Sequence, residues 1–409
     1  MLNLNGALKM GSESYIWYNL KTLNYALRKS NKILYMALYD IKKIATFRLN
    51  MKHLIFLLLT GISSLAFGQI AKYSNEFLSV GVGARALAMA NANVASANDV
   101  TAGYWNPAGL NLQTSNVQVG LMHAEYFAGI AKYDFIGASK RIDSNSVAGL
   151  TFIRFGVDNI PNTTELIDAN GNVDYSRLKS FNAVDAAVLL SYARNIVKVK
   201  GLKIGANAKI IRRKLGEFGG AWGFGLDAGA MYDYKKWRFA AMARDITGTF
   251  NAWSYNLSDD VKQTYAITGN EIPSNSVEVT VPRLILGVTR SWDVWKDKIS
   301  IGGEVNFINT FDGKRNTVVK TKAWSMEPAF GLEVGYKHFI YLRGGIGNIQ
   351  KAMDVTGKSI TTVQPNIGVG IKYKIFALDY AMTNIGNVST SLYSHIFTVK
   401  IDINKKILK

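Results

Sequence analysis

The chain has 409 residues and no cysteine, so disulfides and thiolate metal sites are excluded. Aromatic residues make up 11%, and 48 Lys+Arg against 29 Asp+Glu give a formal charge of +19. After residue 68 no apolar run approaches the ~20 residues of a membrane helix. A mean hydropathy of only +0.04 still suits a membrane barrel, whose lipid face uses alternate residues. Residues 1–50 hold eight Lys/Arg and two Asp/Glu, a net of +6, and Lys52 adds one, so 69–409 carry 19 − 6 − 1 = +12. Those bases are scattered through strands and turns rather than gathered in a patch. That argues against a nucleic-acid partner and for anionic headgroups of membrane lipid.

Met51-Lys52-His53 opens a basic start, followed by an apolar run from Leu54 to Leu65 and small residues before Gln69. This is the pattern of a secretory signal peptide over 51–68. Residues 1–50 lie upstream of it and read as an extension from a start assigned too early. Residues 69–114 come next as a hatch, 115–404 as a barrel.

The hatch is rich in Ala, Gly, Asn and Val, with Arg85 as the only base of 77–110. Small residues from Ala84 to Ala97 suit close backbone packing in a lumen. Asn98 and Asp99 are placed to cap a short helix over 100–105 that ends at Trp105. Asn106-Pro107-Ala108 starts another turn, with Pro107 at its first position and Gly109 closing it. A buried Arg85 requires an inward carboxylate from the barrel. Gly81-Val82-Gly83-Ala84-Arg85-Ala86 matches a dinucleotide fingerprint, but no βαβ unit surrounds it.

From residue 115 the hydrophobic period is two. Trp222, Phe224, Leu226, Tyr232 and Tyr234 share one face of 221–234, and glycines and aspartates the other, with Met231 as the exception. Fourteen strands are predicted: 115–123, 133–141, 146–156, 183–194, 201–214, 221–234, 236–246, 282–293, 298–307, 324–337, 339–348, 364–374, 375–384 and 393–403. Many exceed the usual ~5–6 residues of a soluble sandwich strand and match the ~9–11 of a tilted membrane strand. Connections alternate long and short, with 157–182 and 247–281 the longest. That is the rhythm of outer-membrane barrels with short periplasmic turns. The fold expected is all-β: a fourteen-stranded antiparallel outer-membrane barrel with an N-terminal hatch in its lumen, N-terminus and hatch toward the periplasm.

The second strand face describes the lumen. Asp185, Lys203, Asp227, Glu304, Glu327, Glu333 and Arg343 belong to it, with Asn207, Lys209 and Lys372. Pro328 within a strand predicts a bulge or kink. Arg154 is on neither face by pattern. No HExxH, GxSxG or P-loop occurs, so neither catalysis nor a cofactor nor a metal is expected.

Tyr73-Ser74-Asn75-Glu76-Phe77-Leu78, Gly83-Ala84-Arg85-Ala86-Leu87-Ala88-Met89, Asn98-Asp99 and Tyr104-Trp105-Asn106-Pro107-Ala108-Gly109-Leu110 resemble the PorV/PorQ family of Bacteroidota. That family is related to the FadL fatty-acid transporters, whose hatch carries a similar Asn-Pro-Ala triplet. The resemblance implies a fourteen-stranded outer-membrane barrel serving type IX protein secretion, as a component or accessory that meets translocon or cargo proteins. The alternative is a FadL-like importer of hydrophobic small molecules. An importer requires a lateral gap in the wall near the hatch. A platform requires a closed wall and exposed apolar residues on its outer loops, for which Ile267, Ile272, Val277 and Val279 are candidates.

Overall fold

The computed structural model describes residues 69–70, 74–166, 172–295, 298–353, 357–383 and 394–404. The expected leader over 51–68 and the extension over 1–50 lie outside them.

All fourteen expected strands are present. They are β1 (Val117–Tyr126), β2 (Ala131–Arg141), β3 (Ser146–Asn162), β4 (Lys179–Asn195), β5 (Leu202–Leu215), β6 (Gly219–Tyr234) and β7 (Trp237–Arg244). The second half comprises β8 (Arg283–Val294), β9 (Ile299–Thr310), β10 (Ser325–Tyr336), β11 (Ile340–Met353), β12 (Ser359–Tyr373), β13 (Phe376–Thr383) and β14 (Ser394–Ile403). Each pairs antiparallel with its neighbour, and β14 closes on β1 from His395↔Glu125 to Ile403↔Val117. The closure leaves neither the first nor the last strand of the ring as an open edge.

Alternation sorts each strand into an outer and an inner face. Trp222, Phe224, Tyr232 and Tyr234 are exposed outward while Ala221, Asp227 and Met231 are buried inward. Met231, the exception to the pattern, packs against the hatch near Gly109. The exterior is an apolar belt with Trp and Tyr toward its margins, including Leu332, Leu342, Val369 and Leu378. Such a surface is stable against lipid and not against water. Arg154 faces outward, where it pairs with Asp134 at 3.4 Å and Asp158 at 3.8 Å.

The rhythm of connections is less regular than expected. The connections 127–130 and 216–218 are as short as the turns at the other end, because their flanking strands run further than the pattern indicated. The long loop 245–282 is largely ordered. Thr249–Tyr255 prolongs the wall beside β6, Ser276–Thr280 pairs with it, and helix α3 (Asp259–Ile267) joins the two. Ser258 caps that helix on the Val261 amide.

The N-terminal placement needs a correction. Gln69–Ile70 pairs in parallel with Ser276–Thr280, at the long-loop end. The open edge of that short strand supplies the pairing groups. From there the chain descends through the lumen and enters β1 at the short-turn end.

Pro328 makes neither bulge nor register shift, since β9 and β10 pair continuously from Ile299↔Tyr336 to Thr310↔Ser325. On its other side β10 pairs with β11 only from Tyr336 to Phe330. Above that, Val319–Lys320 folds back onto Ser325–Met326. Glu327–Ala329 is left without a ladder partner toward β11, so a residue lacking an N–H is tolerated there.

Candidate functional site

The hatch fills the lumen with short turns rather than one helix. Its elements are Glu76–Ser79, α1 (Ala84–Ala88), α2 (Ala102–Trp105) and the 3-10 turn Pro107–Leu112. Leu87, Met89, Trp105 and Leu110 are buried, each worth ~1.5–3 kcal/mol by transfer from water. Close packing is made possible by inward glycines. A Cβ at Gly345 would lie 2.3 Å from the Met89 carbonyl carbon, and one at Gly205 would lie 2.5 Å from the Ala108 nitrogen. The glycine-rich strand faces read from the sequence are thus the docking surface of the hatch.

The hatch motif is spread over several contacts. Asn106 accepts from the Ala108 amide at 3.2 Å and donates to the carbonyls of Ala230 and Ala241. Pro107 begins the following turn as expected, and Ala108 is fully buried. The Trp105 indole donates to Val82 at 2.8 Å. Asp99 accepts from the Thr101 amide and hydroxyl. It therefore tightens the turn ahead of α2 rather than capping a helix from residue 100. Asn98 is exposed and makes no cap among the described residues, because the Val100 amide is taken by Gln118 and the Thr101 amide by Asp99.

Arg85 finds the predicted inward carboxylate. It donates to Glu333 through Nε at 2.8 Å and Nη2 at 3.1 Å, and to Asn93 at 2.9 Å. Glu333 also binds Arg343 at 2.6 Å, and Arg343 binds Asp379 at 2.7 Å. Lys400 joins Asp379 at 3.1 Å to Asp99 at 2.6 Å. A chain of alternating charges thus runs from hatch to wall to hatch, around a polar cavity of about 190 Å³ on the short-turn side. Burial raises the Asp99 carboxyl, but Lys400, by charge and hydrogen bond, outweighs it and holds the group below the usual carboxylate range. Lys400 and Asp379, which were not among the expected lumen residues, also lie at inward positions of alternating strands.

The other lumen residues also face inward. Glu304 accepts from the amides of Ala95 and Ser96, both at 2.8 Å. Lys209 sits between Asp227 at 2.7 Å and Asp245 at 2.5 Å, beside the turn in which the Gly248 amide donates to the Asp245 carbonyl. Asp185 pairs with Arg213, and Lys203 with Asp233.

Glu327 belongs elsewhere. It lines a cavity of about 670 Å³ between the hatch and the long-loop end. Phe77, Trp105, Phe155 and Ile308 supply apolar lining. Charge comes from Glu76, held by Arg283 at 2.6 Å and Arg315 at 2.9 Å. Burial raises the Glu76 carboxyl, yet Arg283 and Arg315 bring it below its ordinary value. Arg244 stacks on Tyr104 with its carbon 4.3 Å from the ring centroid. These arginines escaped sequence reading, as two adjoin loops and the third ends a short strand. The cavity reaches the wall where Glu327–Ala329 faces Gly347 and Asn348 without ladder pairing. Among the described residues no His/Asp/Glu group has a metal-site arrangement.

The chain matches no protein-family profile and no curated protein. Solved structures similar to it include the CymD monoaromatic hydrocarbon channel, at 12% identity and a TM-score of 0.48 over 80% of this chain and 98% of that one. The Ralstonia pickettii toluene transporter TbuX is similar at 13% identity and a TM-score of 0.47, over 79% and 99%. A Pseudomonas aeruginosa FadL homologue is similar at 10% identity and a TM-score of 0.44, over 78% and 98%.

Proposed function

We propose that this chain is a non-enzymatic outer-membrane barrel that admits hydrophobic or amphipathic small molecules from outside. The reading rests above all on the outer cavity meeting an unpaired stretch of wall. A cavity of about 670 Å³ falls within the ~300–1,000 Å³ range of ligand sites. Straight passage below it is stopped by the hatch and its ion pairs, so a ligand would leave sideways between β10 and β11. Apolar lining favours the body of such a ligand, and the arginines favour a polar end.

The test is uptake of the fluorescent hydrophobic probe N-phenyl-naphthylamine by cells with and without the barrel. Ala329→Trp should obstruct the cavity at the unpaired edge and cut uptake to the barrel-free level. Equal uptake by wild type and that variant, at equal surface abundance, would sink the importer.

A second reading is the secretion platform. Its support is that Ile267 and Ile272 are exposed at 76% and 47%, on the long loop rather than packed over the mouth. Mild-detergent capture of the native barrel, with recovery of type IX translocon subunits or cargo, would favour this role. Recovery of the barrel with lipid alone would exclude it.

A further inference from the structure

Arg290 is an arginine on the outside of the wall. It lies directly opposite Trp237 on the neighbouring strand and two residues before Trp292. Its guanidinium carbon lies 4.9 Å from the Trp237 ring centroid and 5.0 Å from that of Trp292. Phe239 and Leu286, exposed at 47% and 43%, continue the same outward face. Arg290 makes no ion pair among the described residues, and its buried Nε has no hydrogen-bond partner. Asp233 has the inward parity of Asp227 and Met231 and is taken on the lumen side by Lys203 and Arg238. Asp293 lies at the opposite parity of β8, on the lumen side.

The two turns flanking this strand pair add charge. Lys235 stands over the Tyr234 ring at 5.2 Å, and Lys298 over Trp295 at 5.2 Å. The same device recurs around the short-turn rim, with Lys337 over Tyr336 at 5.3 Å and Lys374 over Tyr373 at 5.1 Å. Lys235, Lys337 and Lys374 all adopt positive φ, of 55°, 52° and 52°. Each places an ammonium against an outward ring rather than toward the lumen.

We propose that Trp237, Arg290 and Trp292, with Lys235 and Lys298, form a binding site for the phosphate headgroup of an anionic phospholipid of the periplasmic leaflet. A guanidinium presents a planar fork matched to phosphate oxygens, and the lysines add point charges. The rings sit at headgroup level, where Trp and Tyr concentrate in membrane proteins. Because both rings lie on the exterior of the wall, the ligand has to approach within the membrane plane. That favours a lipid over a soluble polyanion. The site rests on the membrane reading of the wall and is independent of any passage through the lumen.

The test is native mass spectrometry of the purified full-length barrel, titrated with mixed phosphatidylglycerol and phosphatidylcholine micelles. Wild type should retain phosphatidylglycerol over phosphatidylcholine. Arg290→Gln should lower that retention about fivefold, the scale of one cation at an anionic surface. Heat-modifiable gel mobility checks that the barrel is folded. If Arg290→Gln does not fold, the Lys235→Gln/Lys298→Gln pair serves the same purpose. Equal retention of the two lipids by wild type, or unchanged retention in whichever variant is used folded, would overturn the site. In a second titration with lipopolysaccharide and phosphatidylglycerol together, preference for lipopolysaccharide would overturn its assignment to the periplasmic leaflet.

Discussion

Replacing Arg85 by Met tests whether the hatch is held by charge or merely by shape. Arg85 is 15% exposed and Glu333 18% in their side chains, so solvent screens the pair little. Removing one member of a buried pair costs ~3–5 kcal/mol. Glu333 keeps Arg343 at 2.6 Å, which places the loss at the lower end, about 3 kcal/mol. Asn93 and the Ser96 carbonyl also lose a donor. The barrel ladder is untouched, so the effect should be local opening of the hatch rather than unfolding of the wall. Hydrogen exchange in the folded protein reads it directly. Amides of 84–97 should exchange ~100-fold faster, given a factor of ten for each ~1.4 kcal/mol. Strand amides should keep their rates. Wild-type exchange throughout 84–97 in Arg85→Met would refute the reasoning, leaving packing on glycine as the whole of the anchorage.

Other outcomes follow from neighbouring features. Gly345→Val would drive a side chain into the Met89–Ala90 backbone. Overpacking of this kind costs ~1–3 kcal/mol or more, and planar-bilayer recordings should show larger or flickering conductance; wild-type traces would count against hatch docking at Gly345. Asp99 has a depressed folded value, so its contribution is complete above the ordinary Asp value of about 3.9 and lost only as pH falls below it. Hatch protection followed by exchange at different pH should therefore hold from pH 7 to about 4; loss with a midpoint near 6 would contradict the Lys400 pairing. Lys209→Met strands Asp227 and Asp245 together in a buried site and should destabilise the refolded barrel by ~3–5 kcal/mol, measured by urea titration in liposomes.

Strand number and facing were legible because a barrel repeats one simple rule, apolar outward at every second residue. Trp222 and Phe224 showed it, and so did the glycines opposite them. Arg85 announced its need for a partner by lacking a local carboxylate. Its partner was not legible, since Glu333 lies 248 residues on and the match depends on how the ring staggers its strands. Thr249–Tyr255 and Ser276–Thr280 fall within the expected loop 247–281, although Phe250, Trp253 and Tyr255 are strand-forming residues. At seven and five residues they are shorter than a membrane-crossing strand, so length does not mark them. Pro328 is irregular for its missing N–H, but what it marks is the stretch of β10 that does not pair with β11. A missing donor marks an unpaired edge as readily as a bulge.

The glycine contacts also bear on how such a molecule is made. Gly205 on β5 and Gly345 on β11 receive the hatch on strands far apart in sequence, and the hatch leaves the ribosome before either. A finished ring has no seam wide enough to admit it afterwards. The wall has to curl about a segment already waiting inside, and the last pairing, of β14 with β1, seals it in. Such distant contacts predict slow assembly. The hatch is then a mandrel on which the ring is wound, and a chain deprived of it should lose its circumference before its function.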